Sequence, residues 1–200
     1  MSETKENILT VSLRLFAKDG YEAVSVSMIA GELGITKGAL YKHYKNKRDI
    51  FDSILARMAE TYLERAKEYE MPEEPIENEK EAYRNTSAEK IKNYSKAQFR
   101  YWTEDEFASS FRKMLTLEQY RSPEMARLYE QYLAGGPLMY MADIFGELVG
   151  SNANALQTAL AFYGPFFLLY SVYDGAEDKA KVAETADEYI DSFIFGLRLN

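Results

Sequence analysis

A chain of 200 residues suffices for one large domain, or for a small domain and a medium one. The absence of cysteine excludes a disulfide framework, a thiolate nucleophile and a Cys-based metal site, and fits a reducing cytoplasm. The net charge of −8 argues against nucleic acid for the chain as a whole, but the charge is unevenly divided. Residues 1–67 hold 11 Lys and Arg against 9 Asp and Glu, and residues 68–200 hold 13 against 23. The acidic half favours solubility and repels phosphate, so a basic patch in the other half would set an orientation on DNA.

The N-terminal segment Met-Ser-Glu-Thr-Lys-Glu is polar and lacks the apolar core of a signal peptide. From about Thr4 or Lys5 to Asp19, Ile8, Leu9, Ser12, Leu15 and Phe16 form a helical stripe that Gly20 ends. Ser25 is a good N-cap for a short helix with Ile29 and Leu33 on one face, and Gly34 suits the left-handed stop. Thr36 caps a second short helix in which Leu40 points inward while Lys37, Tyr41 and Lys42 point out. Two short helices joined by a tight Gly-containing turn make a helix-turn-helix, whose second helix can enter a major groove. The stretch from Thr36 to Arg48 carries Lys37, Lys42, Lys45, Lys47, Arg48 and the single histidine, His43, without one carboxylate.

Asn46 caps a longer helix with Asp49 in its positive first turn, and Ile50, Phe51, Ile54, Leu55, Met58, Tyr62 and Leu63 keep the period to about Tyr69. Met71-Pro72-Glu73-Glu74-Pro75 breaks it, and the acidic stretch to Asn85 reads as a loop or ragged helix start. Thr86-x-x-Glu89 and Thr103-x-x-Glu106 have capping-box spacing and predict helices over 87–102 and 104–119. Ser122-Pro123-Glu124 opens a helix that Gly135-Gly136-Pro137 kinks or breaks, and that resumes from Leu138 to about Val149. A helix from about Asn152 to Tyr173, bent at Gly164-Pro165, and a last one from Asp178 to about Leu199 complete an all-α chain of about 9–10 helices.

Ile29-Ala30, Leu33-Gly34-Ile35, Lys37-Gly38, Leu40-Tyr41, His43-Tyr44 and Lys47 resemble the N-terminal signature of the TetR family of bacterial transcriptional regulators. The likeness runs from about Asn7 to Phe51 and includes Phe16-Ala17 and Gly20-Tyr21. Tyr44 departs from it, since the family usually has Phe there. Past about residue 70 the resemblance is one of length and helical pattern alone. It implies an N-terminal three-helix head over 1–47, a connecting helix over 48–70, and a C-terminal helical bundle for ligand binding and dimerisation over 71–200. The implied function is a ligand-responsive regulator, a repressor released from a palindromic operator by a small molecule. The rival reading is a helical binding or carrier protein without the DNA role.

Lysines and Arg48 in the basic stretch suit phosphate neutralisation, which supplies affinity but little sequence information. Ser25, Ser27 and Thr36, at helix N-termini, offer hydroxyl and backbone N–H contacts to phosphate. The resemblance places Lys37, Gly38, Tyr41, Lys42, His43 and Tyr44 on or beside the reading helix and adds Lys47 to the interface. Lys42 is the candidate for a base edge, since Lys donates to guanine O6 and N7. A single histidine flanked by lysines leaves no catalytic triad or His-based metal site, and no Gly-rich phosphate loop occurs, so neither enzyme chemistry, cofactor nor metal is expected.

Most aromatics of the second half serve as core. Phe99, Trp102, Phe111, Tyr129, Tyr163 and Phe167 are the candidates for a pocket, with Arg112, Arg121 or Arg127 to anchor an anion, or Glu118 or Glu130 to hold a cation. The longest apolar run, Ala159 to Tyr170, spans about 12 residues, short of the roughly 20 that a bilayer needs. A helix apolar all round must be buried on more than one side, which predicts a homodimer interface through Phe162, Phe166, Tyr170, Tyr189 and Phe193.

Overall fold

The computed structural model describes residues 3–150 and 154–197, and these form eleven α-helices and no strand. Helices α1 (Glu3–Asp19), α2 (Val26–Glu32), α3 (Lys37–Tyr41) and α4 (Lys47–Glu68) are followed by α5 (Ile76–Arg84), α6 (Ala88–Glu104), α7 (Glu106–Glu118) and α8 (Pro123–Leu133). Helices α9 (Gly135–Val149), α10 (Ala155–Gly175) and α11 (Lys179–Gly196) complete the order. The extra helix relative to the sequence reading is α5, in the stretch read as a loop or ragged helix start. It carries non-helical dihedrals at Glu79 (φ −130°, ψ 36°). The expected start at Asn152 and end at Leu199 lie outside the described residues.

Local capping chemistry sets most of the boundaries. The Asn46 side chain accepts from the Asp49 N–H at 2.8 Å, Ser122 from Met125 at 3.1 Å and Asp178 from Lys181 at 3.1 Å. Gly20 (φ 91°) and Gly34 (φ 66°) take the left-handed conformation that ends a helix cleanly. Two expected caps are displaced. Thr86 and Thr103 bond back to the carbonyls of Ala82 and Phe99, each 2.8 Å or closer, and stay with the preceding helix. Ser87 and Asp105 cap α6 and α7 in their place. A threonine hydroxyl reaches the i−4 carbonyl as easily as a free N–H ahead of it, so the spacing alone does not decide.

The chain divides into two compact units, Met1–Tyr62 with Asp105–Tyr129, and Leu63–Glu104 with Glu130–Asn200. The first therefore takes in α7 and the start of α8, which the sequence reading assigned to the 71–200 body. Here Ile8, Leu9, Leu13 and Phe16 of α1 are buried, as are Phe107, Ala108, Phe111, Met114 and Leu115 of α7, and the two helices pack along each other. Ile50, Phe51 and Ile54 of α4 join that core.

The second unit is built on aromatic rings. Phe99 of α6 stacks on Tyr170 of α10 at 5.5 Å and meets Phe166 and Tyr173 edge-on. Phe145, Phe162 and Phe193 form a second cluster from α9, α10 and α11. Arg100 and Asp187 make a two-pronged ion pair at 2.8 and 2.6 Å.

Helix α10 passes through Gly164-Pro165 as one 21-residue helix. Proline cannot donate to the carbonyl four residues back, Ala161. The Tyr189 hydroxyl lies 2.6 Å from that oxygen and 2.8 Å from the Phe162 carbonyl, and so supplies the missing donor. Between α8 and α9 the expected break occurs. A Cβ on Gly136 would come within 2.2 Å of the Gln131 carbonyl oxygen, so the approach needs glycine.

Candidate nucleic-acid interface

Helix α2 starts where the Ser25 hydroxyl accepts the Met28 N–H at 3.3 Å, and α3 where the Thr36 hydroxyl accepts the Ala39 N–H at 3.1 Å. Between them, the Gly34 turn returns the Ile35 N–H to the Ala30 carbonyl at 2.9 Å. Ile29 and Leu40 are buried, α2 packs on α1 and α3 on α2, so the outer side of α3 is held by its inner side.

On that outer side Thr36, Lys37, Gly38, Tyr41 and Lys42 are exposed, with Ser25, Ser27 and Lys45 exposed nearby. Among the described residues no ion pair engages the ammonium groups of Lys37, Lys42 or Lys45, though the Lys45 backbone N–H donates to the Asp49 carboxylate at 2.8 Å. Their charge is available to an anion, and three cations close together on one face suit a phosphate backbone. His43 is half-buried beside them.

Two of the expected contact residues are used inside the head. Tyr44 is 4% exposed, and its hydroxyl donates to the Lys5 carbonyl at 3.3 Å, so the position packs as phenylalanine would with one added hydrogen bond. Burial raises the pKa of this phenol and keeps it neutral. Lys47 donates to the Tyr21 carbonyl at 2.7 Å and lies over the Tyr21 ring, 4.3 Å from its centre. Arg48 pairs with Asp52 and Glu124 at 2.7 Å each, which offsets its charge. The basic stretch thus divides into three exposed lysines whose ammonium groups have no ion-pair partner among the described residues, and two cations, Lys47 and Arg48, that are committed to protein partners. Met28 is 43% exposed on α2 beside Ser27, and nothing in its residue type singled it out.

The six pocket candidates do not converge. Phe111 is fully buried in the core of the first unit and Tyr129 lies in the same unit, while Phe99, Trp102, Tyr163 and Phe167 belong to the second. In the second unit Tyr163 stacks on Phe166 at 5.5 Å and donates its hydroxyl to the Leu133 carbonyl at 3.1 Å, and Phe167 is 38% exposed. Arg121 is committed to Glu118, at 2.9 Å. A groove of about 440 Å³ in the second unit is lined by none of them. Ile76, Met139, Leu156, Glu77 and Asp143 are among its walls. Burial raises the Asp143 pKa, and the charge of Glu77 adds to the effect. The sequence reading missed the groove because one of its walls, α5, read as loop.

Of the interface candidates, the three on α10 face inward. Phe162, Phe166 and Tyr170 are 1%, 3% and 6% exposed and point into their own unit, with Tyr189 and Phe193 packed against them. The opposite side of α10 is the open one: Leu156, Leu160, Phe167, Leu168 and Val172 are 38–67% exposed, and no residue from Ala155 to Tyr173 is charged. At 1.5 Å per residue α10 is about 31 Å long, enough by length and composition to cross a bilayer, though its other face is core to this unit.

Residues 8–54 match the family described as bacterial regulatory proteins, tetR family. The chain is 44% identical over 63 residues to the uncharacterized HTH-type transcriptional regulator YerO of Bacillus subtilis, a stretch covering 32% of this chain and 20% of that protein. Its matches thus span well under two thirds of the length of such curated relatives. Along nearly the whole chain the fold is similar to a transcriptional regulator (TerR/AcrR family) of Aquifex aeolicus, with TM-score 0.68, 17% identity, and 94% and 98% of the two chains covered. It is similar also to the protein of the SmeT–triclosan complex, with TM-score 0.68, 15% identity, and 99% and 95% covered. Residues 8–54 thus carry the signature of the tetR family of bacterial regulatory proteins on a capped helix-turn-helix, and the all-α fold along the rest of the chain is similar to that of such regulators.

Proposed function

We propose that this chain is a cytoplasmic, operator-binding transcriptional regulator that acts as a homodimer and is released from DNA by a small molecule, as a repressor is. The observation that carries the reading is the outward face of α3. The ammonium groups of Lys37, Lys42 and Lys45 have no ion-pair partner among the described residues, near Gly38 and Tyr41, while Lys47 is held by the Tyr21 carbonyl and Arg48 is paired with Asp52 and Glu124. A solvated basic face would not need that sorting.

The second copy is assigned to the uncharged outer face of α10, from Leu156 to Val172. A stripe of this length is costly in water and is matched by an identical stripe across a two-fold axis. Two heads then meet half-sites about 34–36 Å apart, one helical turn of DNA. The effector is placed in the second unit, whose fold is shared with a protein known in complex with triclosan, a small ligand. To act, it must bind the DNA-incompetent state better, by about 1–3 kcal/mol. No turnover, cofactor or membrane insertion enters this reading.

The test is a fluorescence-anisotropy titration of the purified protein on duplex DNA from upstream of its own gene, at several salt concentrations. Tight binding by two protomers, with a negative log–log salt slope of roughly 0.9 per phosphate contacted, is the expected result. Weak binding that is equal on random duplex would favour the rival reading, a helical small-molecule carrier.

A further inference from the structure

We propose that Glu118 is a positioning residue for the DNA-reading head, fixing the turn that leads into the helix-turn-helix to the end of helix α7. The inference rests on the DNA-binding reading above and adds to it a residue 97 positions from the turn it holds. Glu118 is the last residue of α7 and is 2% exposed. Its Oε1 accepts the Tyr21 N–H at 3.1 Å and the Arg121 Nη1–H at 2.9 Å.

A buried carboxylate is retained only where its hydrogen bonds and countercharge hold it, and both partners here are specific. One is a side chain three residues on. The other is a backbone N–H that has no helical partner, because α1 has just ended at Gly20. The approach is close: at Gly20 (φ +91°) a Cβ would lie 2.6 Å from Glu118 Oε1 and 2.4 Å from Arg121 Nη1.

The same turn is held from its other side. The Tyr21 carbonyl takes the Lys47 ammonium at 2.7 Å, and the Tyr21 ring packs on Phe16 and Phe51 at 5.1 and 5.0 Å. Tyr21 is therefore clamped between α7, through its N–H, and the first residue of α4, through its C=O. Ser25, the cap of α2, follows within one short turn of chain, so the pose of α2 and α3 follows the clamp. Arg48 and Glu124, 2.7 Å apart, tie the start of α4 to the start of α8 in the same unit. The head is thus aimed by α7 and α8 as well as by the helix that directly follows it.

The experiment compares Glu118→Leu, which fills similar volume without an acceptor, with Glu118→Gln, which keeps one. The probe is a duplex enriched by the wild-type protein from a randomised pool, and amide hydrogen exchange is followed over residues 20–24. Glu118→Leu is expected to bind at least tenfold more weakly with an unchanged salt slope, since every phosphate-facing lysine is kept, and to exchange faster over 20–24. Glu118→Gln is expected to stay within threefold of wild type in both readouts. A purely structural role would lower thermal stability yet leave the affinity of the folded Leu variant within threefold, and that outcome overturns the proposal. Should the Leu variant fail to fold, the wild-type Tyr21 amide decides: protection matching α7 supports the clamp, and free exchange overturns it. If the wild-type protein enriches no duplex, the DNA reading fails by itself, while Tyr21 protection still reports on the clamp.

Discussion

The outer faces of α3 and α10 are both exposed, and they solve opposite problems. The α3 face gathers Lys37, Lys42 and Lys45 next to Gly38 and Tyr41, and depends on short capped helices to display them. The α10 face has no charge over nineteen positions, Ala155 to Tyr173, and depends on the other side of the same helix, Phe162, Phe166 and Tyr170, to hold it in a core. In the function proposed above, one surface meets a polyanion and the other a copy of itself. In each case a buried inner face does the holding, so damage to the inner and outer faces should have separable consequences.

The largest effect is expected on α10. Leu160→Glu with Leu168→Glu puts two carboxylates on its open face and should weaken self-association by about a hundredfold or more, because charges enter a dry interface unpaired. Sedimentation would then report folded monomers, and a dimer persisting at micromolar concentration would move the interface elsewhere. Truncating the inner side of the same helix should act differently. Phe162→Ala is expected to cost about 3–5 kcal/mol in denaturant-induced unfolding. If it dissociated the protein without loss of stability, the inward assignment of this ring would be wrong.

On α3, Lys37→Ala with Lys42→Ala should flatten the salt slope by roughly 0.9 for each phosphate no longer neutralised and weaken all sequences nearly alike. Lys47→Ala is the contrast: it removes the donor to the Tyr21 carbonyl, costs about 1–2 kcal/mol of stability and leaves the slope close to wild type. A slope change as large for Lys47 as for Lys37 would return it to the phosphate face. A smaller effect, about 1 kcal/mol, is expected of Tyr189→Phe, which leaves the Ala161 carbonyl beneath Pro165 without its donor. Thermal unfolding would detect it, and an unchanged midpoint would show that water replaces the hydroxyl.

The smallest effects are in pH dependence, with opposite signs in the two units. Arg48 holds the Glu124 carboxyl below the usual glutamate range. Its stabilisation is present above the unfolded pKa and is lost as pH falls through the folded one. Asp143 is raised by burial and by Glu77, so the folded chain keeps that proton longer than the unfolded chain, and stability declines as pH rises through the folded value. Denaturation of Glu124→Gln and Asp143→Asn over about pH 3–7 should remove slopes of opposite sign. Slopes of the same sign would contradict these two environments.

How much of this was legible depends on the range of the interaction. The caps at Ser25, Thr36, Asn46 and Ser122 and the glycine stops at Gly20 and Gly34 read correctly because each concerns groups within a few residues. Thr86 and Thr103 misled at the same range, since a hydroxyl has two competing backbone partners. In the candidate interface the basic stretch was legible as composition, but its division into Lys37, Lys42 and Lys45, with uncommitted ammonium groups, and Lys47 and Arg48, committed to protein partners, was not. That division depends on Tyr21 and Glu124, which periodicity cannot bring beside them.

The sequence by itself determined the all-α class, the helix-turn-helix and the family signature it carries, since these follow from hydrophobic period, local caps and a motif within residues 8–54. Only the tertiary structure decided which side of α10 is buried, because a helix apolar all round carries no phase for its pattern to declare. It also decided that α7 packs with the head and that Glu118 meets Tyr21, pairings that chain separation hides and that side-chain packing alone brings together.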